Sequence, residues 1–165
     1  MTVDAPAGGS ARWRDLAGPD DTTQLGRELA GRLRAGDVVL LTGELGAGKT
    51  TLARGLGEGL GVRGPITSPT FVIARVHPSL VDGPALVHVD AYRLAGALEL
   101  ADLDLEAWLD EAVTVVEWGH GLAETLADSY LEVELTRAVG ADDEVPRRAR
   151  VTGHGPRWPA KAFDA

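Results

Sequence analysis

The 165-residue sequence contains no cysteine and no asparagine. Without cysteine, disulfide frameworks, thiol nucleophiles and thiolate zinc sites are excluded. Without asparagine, the usual Asn-Lys-x-Asp reader of a guanine base is missing. Lysine is scarce as well: Lys49 and Lys161 are the two lysines among 16 basic residues, and the rest are arginine. No run approaches the roughly 18 apolar residues that a membrane span needs, and residues 1–20 lack the apolar core of a secretory leader. The expected compartment is therefore the cytoplasm, with no membrane contact. Positive charge is in deficit, 25 acids against 16 bases for a net −9, which argues against a wide face that grips phosphate backbones. What remains is 44% hydrophobic, sufficient for one compact domain over residues 1–165. Residues 1–11 and 156–165 are expected to be loose ends.

The pattern along the chain alternates helix and strand before it closes on a hairpin. Asp20 to Ala35 predicts a helix, with Leu25, Leu29 and Leu33 recurring every fourth position and Gly36 as its stop. Asp37–Thr42 is a short apolar run of the kind buried in a parallel sheet. Lys49 to Leu60 predicts a second helix, although Gly55, Gly57 and Gly59 each disfavour it by about 1 kcal/mol relative to alanine. Strands are predicted at 71–76, 86–90 and 112–116, an acidic helix at 98–111, a turn at 78–84 and a short helix at 121–127. Tyr130–Leu135 alternates polar and apolar residues, which predicts a half-exposed antiparallel strand paired with 148–152. The fold class is α/β: a single domain with a mixed, mostly parallel sheet, flanking helices and a C-terminal antiparallel hairpin.

The strongest local signal is Gly43-Glu-Leu-Gly-Ala-Gly-Lys-Thr50, which fits G-x-x-x-x-G-K-[ST] at every fixed position. It leaves an apolar strand and opens a helix, as its chemistry requires, so the domain is expected to be of the P-loop NTPase type. The glycines let the loop curl until successive N–H groups converge on phosphate oxygens, and the helix start adds partial positive charge. Lys49 is expected to bridge the β- and γ-phosphates, and the Thr50 hydroxyl to ligate Mg2+. Around the phosphates the loop contributes Glu44, Leu45, Gly46, Ala47, Gly48, Lys49, Thr50 and Thr51. With no guanine reader, ATP is the expected nucleotide.

Such a site needs a carboxylate near the metal at the end of a neighbouring strand. Asp90 and Glu117 both end apolar runs, where ligands bind in open α/β sheets. Both stand as candidates for holding Mg2+ and for catalysis beside Lys49, and spacing leaves open which contacts the metal and which orients water. Thr70 lies where switch segments sense a γ-phosphate, although a turn around Ser68-Pro69 explains it as well. Trp118 is placed either to shield the site, to stack on the base, or to pack at the rim. His88 shares a strand face with Asp90, which suits either orienting that carboxylate or packing in the core.

Four motifs in order, G-E-L-G-A-G-K-T-T at 43–51, S-P-T-F at 68–71, H-V-D-A-Y-R-L at 88–94 and V-E-W at 116–118, resemble the TsaE (YjeE) family of small bacterial P-loop ATPases. A T-x-x-L-G stretch from Thr22 to Gly26 matches too, which adds Thr22 to the nucleotide-binding set. The resemblance implies that Thr50 and Glu117 bind Mg2+, that Asp90 sits in the site, and that Ser68–Phe71 respond to the nucleotide. It also implies a role in making threonylcarbamoyladenosine in tRNA, alongside the transferase subunit TsaD and its partner TsaB, with tRNA contacted only indirectly. Eleven acids and no Lys or Arg between Leu94 and Thr136 suit a protein partner, with Glu99, Asp102 and Asp104 as its expected contacts; a solvated acidic helix fits equally. A small-molecule P-loop kinase is the rival reading. That acidic stretch lacks the arginines of a kinase lid, which leaves Arg93 and the Arg147/Arg148 pair as its phosphate clamps. A module gated by ATP that hardly hydrolyses it is a third reading.

Overall fold

A computed structural model describes residues 12–44, 46–66, 74–90, 106–117, 126–137 and 147–159. The elements are β1 (Trp13–Leu16), α1 (Pro19–Ala30), β2 (Val38–Gly43), α2 (Lys49–Leu60), β3 (Ala74–His77), β4 (Ala85–Asp90), α3 (Glu106–Leu109), β5 (Ala112–Glu117), β6 (Tyr130–Arg137) and β7 (Arg147–His154). Seven strands form one sheet in the order β1-β7-β6-β2-β5-β4-β3. Its centre, β6-β2-β5-β4, is parallel, and the flanking pairs β1–β7, β7–β6 and β4–β3 are antiparallel. The α/β class and the C-terminal antiparallel hairpin expected from the pattern are both present. Tyr130–Arg137 departs from expectation on one edge: it runs antiparallel to β7 but parallel to β2. Its alternation reports that one face is half-exposed and carries no information on strand direction.

Strands β2 and β5 are buried on both faces, which explains their unbroken apolar runs. On one face, Val39, Leu41, Val113, Val115, Leu131 and Val133 pack under α1 and α2. On the other, Leu40, Val87, Val89, Ala112 and Val116 form a second, smaller cluster.

The two helices meet at backbone distance, and here the unfavourable glycines acquire a reason. A Cβ at Gly26 would stand 2.6 Å from the Leu52 carbonyl oxygen, one at Gly55 would overlap the Thr23 carbonyl, and one at Gly59 would stand 2.5 Å from the Ala30 methyl. The propensity cost in α2 is offset by the closeness that α1 gains.

Three boundaries differ from expectation. α1 ends at Ala30 rather than Ala35, because Arg32 and Leu33 donate to the carbonyls three residues back and tighten the last turn. Asp37 then accepts from the Arg34 N–H at 2.8 Å. β1 was not anticipated; four residues carry no periodicity, and only pairing with β7 makes them a strand. The chain end is also not loose from residue 156. Trp158 is buried, and Arg157 donates to both carboxylate oxygens of buried Asp37 at 3.1 Å and to the Arg32 carbonyl at 3.1 Å. The Arg157 guanidinium also stacks 4.3 Å above the Trp158 ring.

Candidate functional site

β2 delivers the glycine loop and α2 receives it. Gly43, Gly46 and Gly48 all adopt positive φ (146°, 80° and 107°), the region open to glycine at little cost. At Gly43 even the space requires it, since a Cβ would overlap the Leu135 carbonyl of β6. Ala47 is buried and its N–H donates to the Glu44 carbonyl at 3.0 Å, closing the turn. Helix α2 then starts with no side-chain cap and no acid in its first turn. Its own first turn therefore offers the dipole no anion, the arrangement that suits a bound one.

Lys49, 5% exposed, folds back into the loop and donates from Nζ to the Gly43 and Glu44 carbonyls, each at 2.8 Å. Burial pushes its ammonium below the usual lysine pKa, and the negative charges of Glu117 and Asp90 oppose that shift. The chain thus keeps a partly desolvated cation pinned under the loop, where an arriving polyanion would relieve its burial.

Thr50, one residue on, points its hydroxyl at Glu117 Oε1, 3.5 Å away. The other Glu117 oxygen accepts from His88 Nε2 at 2.5 Å. Asp90 pairs in register with Glu117 at the ends of β4 and β5, so the two carboxylates stand side by side. Both acids stand at the C-terminal ends of their strands, and Glu117 reaches Thr50, but His88 reaches the Glu on the next strand rather than the Asp on its own. Thr22 is fully buried in α1; its hydroxyl donates to the Gly18 carbonyl at 3.5 Å. Its methyl lies 3.6 Å from where a Gly48 Cβ would be, which brings the T-x-x-L-G stretch against the loop. Thr51 is half-buried in the first turn of α2. Leu45, Thr70 with Ser68–Phe71, Trp118, Arg93 and the acids Glu99, Asp102 and Asp104 lie outside the described residues.

One further side chain joins the site. Arg147 opens β7 on the same face as buried Ala149. Its Nη1 lies 3.7 Å from where a Gly48 Cβ would stand, so a second cation overlooks the loop. The sequence suggested it only as a clamp in the kinase reading. No local signal links residue 147 to residue 48; strand order does.

Fold and loop together define a P-loop-type α/β protein. A profile of the TsaE family, described as threonylcarbamoyl adenosine biosynthesis protein TsaE, matches residues 16–145, and the chain belongs to that family. Among similar proteins, TsaE of Streptomyces coelicolor is 65% identical over 136 residues, spanning 82% of this chain and 92% of its own. TsaE of Mycobacterium tuberculosis H37Rv is 53% identical over 133 residues, 76% and 79% of the two chains. TsaE of Bacillus subtilis is 37% identical over 148 residues, 89% and 88% of the two. All three are named tRNA threonylcarbamoyladenosine biosynthesis protein. A crystal structure of Bacillus subtilis YdiB superposes with a TM-score of 0.65 at 28% identity, over 86% of this chain and 85% of that one. Among the described residues no helix is long and apolar enough to cross a membrane.

Proposed function

We propose that this chain binds and hydrolyses Mg2+-ATP at the glycine loop. It serves as an accessory subunit in making threonylcarbamoyladenosine in tRNA, in the cytoplasm, where it resets the transferase subunit TsaD and its partner TsaB. It meets tRNA only through those proteins. The family supports the pathway. The observation that carries the chemistry is the meeting of Thr50 and Glu117 beside Lys49 at the uncapped start of α2.

The donor set fits Mg2+. A hydroxyl and a carboxylate are hard oxygens, and Mg2+ takes one or two protein ligands and leaves the rest to water and substrate phosphates. Among the described residues no group of three or more His, Cys, Asp or Glu gathers to cage a metal by itself, as suits an ion that arrives with its nucleotide. Thr50 and Glu117 would hold it, and when bound it would neutralise charge on the β- and γ-phosphates.

The protein's own part is positioning. The N–H groups of the loop and of the α2 start would cradle the phosphates. Lys49 would exchange its two carbonyl partners for phosphate oxygens, and Arg147 would face the same charge from β7. Asp90, beside Glu117, would orient a water molecule.

The test is ATP turnover with and without the TsaD–TsaB pair, in wild type, Lys49→Ala and Glu117→Ala. Lys49→Ala should abolish tight triphosphate binding, and Glu117→Ala should mainly lower turnover. Wild-type behaviour in both variants would refute the site, and phosphorylation of a metabolite by the isolated chain would refute the accessory-subunit reading.

A further inference from the structure

His88 is fully buried on β4, on the face that packs under α2, beside Leu86 of its own strand and Val113 and Val115 of β5, all 0% exposed, with Arg75 of β3 as its cross-strand partner and Asp90 two residues on. Into that setting the fold puts an imidazole and a carboxylate in direct contact, Nε2 to Glu117 Oε2 at 2.5 Å with side chains 0% and 5% exposed. Packing does not demand it, because a buried polar pair is often no more stable than apolar residues of the same volume. The ring's other nitrogen, Nδ1, is buried and has no hydrogen-bond partner among the described residues. The proton therefore belongs on Nε2, since a proton on Nδ1 would leave an unsatisfied donor in the core.

The consequence falls on Glu117. Its side chain has enough torsional freedom to point its carboxylate several ways. With Oε2 tied to a ring that cannot move, Oε1 is left turned toward the Thr50 hydroxyl, 3.5 Å away. One hydrogen bond thus runs from the sheet interior to the very pair expected to hold a metal.

We propose that His88 is the positioning residue of the metal site: its Nε2–H holds Glu117 so that Oε1 and the Thr50 hydroxyl face the same point. It touches neither nucleotide nor metal and acts only through Glu117. This rests on the Mg2+-ATP reading above, and the experiment separates the two.

The full chain is titrated with a fluorescent N-methylanthraniloyl derivative of ATP, in EDTA and then across a range of Mg2+ concentrations. In His88→Met, which fills the space without a donor, the half-saturating Mg2+ concentration should rise about 10- to 100-fold while affinity in EDTA stays unchanged. His88→Gln, which returns an N–H near the Nε2 position, should recover most of the Mg2+ response. In a Glu117→Gln background, His88→Met should add nothing further. If His88→Met lost its cooperative melt, His88→Asn, too short to reach Glu117, carries the same expectation. A Mg2+ response equal to wild type overturns the positioning role and leaves the nucleotide site standing. So does an equal loss with and without Mg2+, which marks a purely structural role. A wild-type chain whose binding ignores Mg2+ overturns both readings.

Discussion

Helices α1 and α2 are each twelve residues long, lie against one another and cover the same face of the sheet, yet their N-termini are built in opposite ways. α1 starts with Pro19, pre-set in the helical φ, followed by Asp20 and Asp21 in its first turn, and Asp21 also accepts from the Ala17 N–H at 2.9 Å. α2 starts from a glycine at φ 107°, with no acid in its first turn, and Thr50 and Thr51 where α1 carries its aspartates. The first end is closed by the protein's own charge. The second has no acid of its own, and its carboxylates come from other strands, Glu117 on β5 and Asp90 beside it on β4. A helix start without an acid in its own first turn is where an anion is expected, and the contrast with its neighbour shows that such an acid was available.

The largest effect should come from the contact that holds the two helices together. Gly55→Val would gain helix propensity but drive its side chain into the Thr23 backbone, and should cost at least about 3 kcal/mol in urea unfolding. A neutral result would mean that the helices do not need to touch so closely.

Next is the open end itself. ATP at about 100 times its Kd should stabilise the wild type by roughly 2.7 kcal/mol, and Lys49→Met should erase that shift in thermal melts. The same variant has a pH signature. Burial lowers the folded-state pKa of Lys49 from the usual 10.5, so the folded chain releases this proton before the unfolded chain does. The stability tied to this group is fully present above the unfolded pKa and is lost as pH falls through the folded one. Wild type should therefore gain stability with rising alkaline pH relative to Lys49→Met.

A smaller effect lies at the chain end, remote from both helix starts. Arg157→Met leaves the Asp37 carboxylate buried without its guanidinium and should cost about 2 kcal/mol by denaturant titration, with ATP affinity unchanged. A matching loss of affinity would show that this clasp supports the loop as well.

The smallest effects come from swapping the two helix starts. Thr51→Glu gives α2 the acid it lacks and should stabilise the ligand-free protein by about 0.5 kcal/mol while weakening ATP binding. Asp21→Asn removes one from α1 and should cost about 0.5 kcal/mol with no effect on ATP. Equal effects of both on the nucleotide would erase the distinction between the two ends.

The loop was legible in the sequence because its chemistry is contiguous: strand, glycines, Lys49, Thr50 and helix follow within a dozen residues, and each constrains the next. Asp90 and Glu117 were legible as acids that end apolar runs. The pairing of His88 was not. Spacing of two along β4 pointed to Asp90, but the neighbouring strand offers Glu117 in hydrogen-bonding reach. Arg147 was visible only as a phosphate clamp in the rival kinase reading. The Gly55 and Gly59 positions read as costs, since the helix that presses on them belongs to another part of the sequence.

By itself, then, the sequence determined the class of fold, the family and the glycine loop, because those rest on local periodicity and on motifs that need only their own backbone. Tertiary structure alone decided which acid faces Thr50, which histidine holds it, that Arg147 overlooks Gly48, and that Arg157 closes on Asp37. These are contacts between residues far apart along the chain, and strand order and register bring them together. Nothing in the spacing of side chains along one segment encodes which strand will lie beside it.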